Sequence, residues 1–152
     1  MSKEKLYIFD TTLRDGAQTQ GVDFSIDDKL KIAEALDSLG VDYIEGGWPG
    51  ANHTDTEFFQ KKINCKNSTL TAFGMTKKTG RSADNDPGLS ALINSNTKAV
   101  CIVGKSWDFH VDVALGISNE ENLENISEST KLFVKEKKEF MFDAEHFFDG
   151  YK

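Results

Sequence analysis

The sequence predicts an α/β protein built on a parallel sheet, and three observations predict it. Five short apolar runs recur along the 152 residues. Segments with helical periodicity and capping residues separate them. Glycines and charged groups gather directly after the runs, where a parallel α/β sheet carries its functional side chains.

The first run is Leu6-Tyr7-Ile8-Phe9, read as strand one. Ser25 with Asp28 then forms a capping-box pattern ahead of Ile26, Leu30, Ala33, Leu36 and Leu39, and Gly40 closes that helix. Val41 to Glu45 reads as strand two, ended by Gly46, Gly47 and Pro49. Thr54 with Glu57 repeats the capping pattern and predicts a short helix through Phe58 and Phe59. Leu70 to Gly74 is the third strand, followed by a polar loop from Met75 to Pro87 in which Lys77, Lys78 and Arg81 form an anion-facing set. Pro87 opens a helix carrying Leu89, Leu92 and Ile93. Ala99 to Gly104 is the clearest strand, an apolar run of the kind buried on both faces. Ser118 and Glu121 cap a longer helix with Leu123, Ile126, Thr130, Phe133 and Val134 on one face. Glu139 to Asp143 is the fifth strand, and the chain ends at Lys152, before a following helix could form.

Composition excludes several function classes. A net charge of −7 with no Lys/Arg cluster argues against a nucleic-acid partner. No apolar run approaches the roughly 20 residues of a spanning helix, which argues against a membrane. The start Met1-Ser2-Lys3-Glu4-Lys5 has no apolar region after it, so no signal peptide is expected. Cys65 and Cys101 are far apart in sequence, which fits a reduced, cytoplasmic protein.

The stretch Phe9-Asp10-Thr11-Thr12-Leu13-Arg14-Asp15-Gly16-Ala17-Gln18 carries the densest chemistry. Asp15 offers a hard oxygen ligand for a divalent cation. Arg14 offers a planar fork that grips a carboxylate or polarises a carbonyl. Gly16 lets the backbone turn sharply. An ordinary loop in which Arg14 and Asp15 pair with each other satisfies the same spacing.

That stretch resembles the first-strand signature of the α-isopropylmalate, homocitrate and citramalate synthase superfamily. Three further segments resemble it in the same order. They are Tyr43 to Asn52, Gly104 to Val111, and Phe142 to Lys152. The resemblance implies parallel (β/α) units of a TIM barrel, truncated after about the fifth strand, so that residues 1–152 form the N-terminal part of one catalytic domain. It implies a transferase that condenses acetyl-CoA with a 2-keto acid, most closely pyruvate to citramalate. By matching position, Asp15 is the metal ligand, Arg14 polarises the keto acid, and Gln18 and Glu45 contact the substrate. Glu145 takes the place of a glutamate that bears on acid–base steps. The implied cofactors are a divalent metal (Mg, Mn or Zn) and acetyl-CoA as co-substrate. Neither His110 nor His146 is expected to bind the metal, and Trp48 and Trp107 read as packing groups.

Two alternatives stay open. One is a 2-isopropylmalate synthase, and the other is a non-catalytic half-barrel binding module. The resemblance implies a His-x-His metal motif on strand seven, which this sequence lacks; its histidines are His53, His110 and His146. The chain alone is therefore expected to be inactive. Unpaired sheet edges and exposed apolar faces are expected to make it self-associate as a homo-oligomer or be only marginally stable.

Overall fold

A computed structural model describes residues 4–151. Five strands lie side by side in the order β1-β2-β3-β4-β5, all parallel. They are β1 (Phe9–Asp10), β2 (Tyr43–Glu45), β3 (Thr69–Met75), β4 (Ala99–Lys105) and β5 (Glu139–Glu145). The helices are α1 (Ile26–Leu39), α2 (His53–Gln60), α3 (Pro87–Ile93), α4 (Asp108–His110), α5 (Asn119–Lys135) and α6 (Phe147–Gly150). Sequential order with parallel pairing is the signature of consecutive β/α units, and the predicted fold class holds.

The sheet curls. In a flat sheet β2 and β5 would lie three spacings, roughly 14 Å, apart. Yet the Tyr43 hydroxyl on β2 donates to Glu139 on β5 at 2.5 Å. Register gives the two faces different characters. Glu45, Thr71, Phe73, Cys101, Met141, Asp143 and Glu145 share the concave face with Tyr43. The convex face presents Ile44, Ala72, Val100 and Ile102, all fully buried against Phe58, Leu89, Leu92 and Phe133 of the helices. Burying two such phenylalanines and several aliphatic side chains stabilises this layer, by about 2 kcal/mol for each large side chain.

Four local readings need correction. Strand one was expected over Leu6–Phe9, but only Phe9–Asp10 is strand. The Ile8 N–H is taken by the Asp42 carboxylate at 2.9 Å. The Ile8 carbonyl serves the N–H groups of both Asp42 and Tyr43, so no regular ladder forms before Phe9. Helix α2 is capped by Asn52, which accepts the Asp55 N–H at 2.7 Å, and not by Thr54 with Glu57. Helix α5 buries Asn122, Asn125, Ser129, Leu132 and Phe133, while Leu123 and Val134 are each 64% exposed. Polar ties set that rotation. Asn122 donates to the Lys105 carbonyl, Asn125 to Thr79, and Ser129 accepts the Lys77 N–H. A single turn, α6, also forms after β5, where no helix was expected.

Candidate functional site

The β1–α1 loop is folded by its own polar groups. Asp10 accepts the backbone N–H and hydroxyl of Thr12, at 3.0 and 3.2 Å. The Thr11 carbonyl accepts from the N–H of both Arg14 and Gly16. Leu13 is fully buried and pins the turn to the core. Asp10 is thereby spent on structure, and Arg14 is thrown toward the concave face.

Three groups fix the Arg14 side chain there. Its Nε donates to Glu45 Oε2 at 2.7 Å. One Nη1 hydrogen goes to Asp15 at 3.2 Å. The guanidinium lies over the Phe73 ring, 3.9 Å from its centre. Among the described residues nothing pairs with Nη2, which leaves that edge of the fork open to a ligand. Arg14 and Gln18 also line a cavity of about 410 Å³ with Phe24, Lys29, Trp48 and Asp55.

The electrostatics of this corner are crowded with carboxylates. Glu45 is 1% exposed. Burial pushes its carboxyl above the usual range, against the hydrogen bond and charge of Arg14, and the charges of Asp143 and Asp15 push the same way. Cys101, also on this face, has its thiol pushed up to about 12, first by burial and then by the Glu45 and Asp143 charges. It is an inert core thiol.

Glu145 ends β5, two residues beyond Asp143 on the same face, where it pairs with Lys105 on β4. The structure thus brings Arg14, Asp15, Gln18 and Glu45 into one corner, while Glu145 faces the same concave side with Lys105 as its partner. Lys77 does not belong to an anion-facing set. It is buried, donates to the Arg81 carbonyl at 2.9 Å and pairs with Glu128 at 2.9 Å. Lys78 and Arg81 remain exposed at a second cavity, of about 440 Å³, with Trp48, Met75, Leu115 and Ile117 on its walls. His110 and His146 meet edge to face, their ring centres 4.2 Å apart, beside Trp107. Among the described residues no group of three or more His, Cys, Asp or Glu side chains could hold a metal ion.

Sequence reasoning missed Phe73 and Asp143 as members of the corner, and the buried Lys29–Asp55 pair beneath it. Lys29, Ala33 and Asp37 are the buried residues of α1. Their four-residue spacing on one face was the available signal.

Comparison with known proteins decides the family. The HMGL-like family model matches residues 5–150. The chain belongs to the HMGL-like family. An (R)-citramalate synthase from Aquifex aeolicus is 54% identical over 151 residues, covering 98% of this chain and 29% of that protein. A 2-isopropylmalate synthase from Caldanaerobacter subterraneus subsp. tengcongensis is 36% identical over 146 residues, covering 95% of this chain and 36% of its own length. The chain thus spans under a third of the citramalate synthase that it matches. In fold it is similar to a hydroxymethylglutaryl-CoA lyase from Pseudomonas aeruginosa. That structure has a TM-score of 0.72 at 18% identity, with 91% of this chain and 45% of that one covered. This HMGL-like chain is therefore related to citramalate synthases and, more distantly, to isopropylmalate synthases.

Proposed function

We propose that the Arg14 corner is the keto-acid-activating part of a citramalate synthase-type acyltransferase, with pyruvate and acetyl-CoA as its substrates. The observation that carries this reading is the arginine fork itself. It is oriented by Glu45 and Phe73 and keeps Nη2 free beside a cavity. A guanidinium so held stabilises the alkoxide that develops when the acetyl carbanion attacks the keto carbon. The new bond joins the acetyl methyl carbon to that carbon, and hydrolysis of the thioester then releases CoA. Gln18 lines the keto-acid subsite, buried Glu45 orders it by holding Arg14, and Glu145 is the carboxylate assigned to proton transfer.

The second cavity suits the thioester arm, because its apolar walls carry the exposed cations Lys78 and Arg81. Trp48 is common to both cavities.

The described residues do not make a complete divalent-cation site. Asp15 is one carboxylate with a 64% exposed side chain, and its partner is Arg14. Mg²⁺ requires about six oxygen ligands in near-octahedral array. The chain alone is therefore expected to bind substrates without turning them over.

Tryptophan fluorescence tests the reading. With Trp107→Phe as background, acetyl-CoA is expected to quench Trp48 saturably. Replacing Lys78 and Arg81 with alanine should weaken that response by about tenfold, two surface charges' worth of attraction. A Trp48 signal indifferent to acetyl-CoA would contradict the assignment.

A further inference from the structure

The Arg14 corner does not by itself account for the cation buried beneath it. Lys29 on α1 is 2% exposed, far from ordinary for lysine. Its Nζ donates to the Gly46 carbonyl at 3.0 Å and pairs with Asp55. Asp55 in turn accepts the Trp48 N–H at 2.8 Å and the Asn52 amide at 3.0 Å. Gly47, at φ +143°, passes so close that a Cβ there would lie 2.5 Å from the Asp55 carboxyl carbon. The Gly46-Gly47-Trp48 turn is thus gripped from one side by a single ion pair.

What the turn carries leads back to the site. Trp48 meets Phe73 edge-on, with ring centres 5.4 Å apart and planes at 85°. Phe73 presents its face to the Arg14 guanidinium at 3.9 Å. Contacts therefore run from Lys29 through Asp55, Trp48 and Phe73 to Arg14. An ion pair in such a place seldom adds net stability over a well-packed apolar pair. What it adds here is direction, because its hydrogen bonds fix the Gly46 carbonyl and the Trp48 N–H.

We propose that Lys29 and Asp55 are positioning residues for Arg14, holding the Gly46–Trp48 turn so that Trp48 backs Phe73 and Phe73 backs the guanidinium. The inference rests on reading Arg14 as the substrate-activating arginine, and it assigns that arginine its support.

The chain contains two arginines, Arg14 and Arg81. Nitrogen-15 spectra of the folded, ligand-free protein therefore show two guanidinium Nε–H signals, which Arg81→Lys assigns. In Lys29→Met and Asp55→Asn, solvent exchange of the Arg14 Nε–H is expected to be faster by about tenfold or more, as for a weakened hydrogen bond to a charged group. The Arg81 signal should stay in place, and Lys29→Arg should restore protection. Trp48→Ala interrupts the same path at a half-buried residue without opening the ion pair, so it carries the test if Lys29→Met does not fold.

Unchanged Arg14 exchange in folded Lys29→Met or Trp48→Ala protein overturns the proposal. So does a loss of protection spread evenly over the β2 and β3 amides, which would make the role structural only. No substrate is present, so this result is independent of what Arg14 binds. The keto-acid reading fails on a separate measurement, titration of the unaltered protein with pyruvate.

Discussion

Two lysine–carboxylate pairs sit at strand ends on opposite sides of this sheet, and they are unequal. Lys29–Asp55, under the end of β2, has side chains 3% and 11% exposed. Lys105–Glu145, at the end of β5, has side chains 16% and 35% exposed. The first also fixes the Gly46 carbonyl and the Trp48 N–H, and α1 and α2 close over it. Beyond the second, Phe147, Phe148 and Tyr151 are 50%, 87% and 78% exposed. Burial, and not the pairing itself, decides what an ion pair is worth.

The comparison breaks most readily at Lys29. Lys29→Met leaves Asp55 buried without its cation and is expected to cost about 3–5 kcal/mol in urea unfolding. A loss under 1 kcal/mol would erase the distinction between the two pairs. Asp37, on the same buried side, accepts backbone N–H groups of Lys66, Asn67 and Ser68 at 3.0, 2.8 and 2.8 Å. Asp37→Ala should cost about 2–3 kcal/mol by stranding those donors.

Those hydrogen bonds, the Lys66 N–H foremost, hold the Asp37 carboxyl below the usual range. A depressed folded pKa means the stabilisation is whole above the unfolded value near 3.9 and is lost as pH falls through the folded one. The Asp37→Ala deficit should accordingly shrink in unfolding curves recorded below about pH 4.

On the other side the effects are smaller. Ser118 accepts the Glu121 N–H and caps α5 in a capping box, so Ser118→Ala should cost about 1 kcal/mol. Glu145→Gln should change stability by under about 1 kcal/mol, because its pair is partly solvated. A destabilisation equal to that of Lys29→Met would show that the β5 end matters to folding no less than the β2 end.

The same contrast explains what was legible in the sequence. Strands and their parallel order were readable because apolar runs and capping pairs such as Ser25–Asp28 and Ser118–Glu121 are local signals. Arg14, Asp15, Gln18 and Glu45 were picked out by resemblance to a family signature at strands one and two, and the fold gathers them at one corner. Phe73 and Asp143 were not, since only sheet register places them on the concave face beside Glu45. Lys77 looked like a free cation because its partner Glu128 lies 51 residues on, in α5. The face of α5 was misread because polar ties from Asn122, Asn125 and Ser129 outweighed the apolar pattern. The partners of Asn122, Asn125 and Ser129 left no trace in the apolar periodicity of α5.

The most direct test of the account is a pyruvate titration followed at the Arg14 Nε–H signal. The open Nη2 edge predicts a saturable shift at Arg14 with Arg81 unmoved, and loss of pyruvate affinity by about tenfold or more in Arg14→Gln. An Arg14 signal that stays still while pyruvate rises, or equal pyruvate affinity in Arg14→Gln, would contradict it.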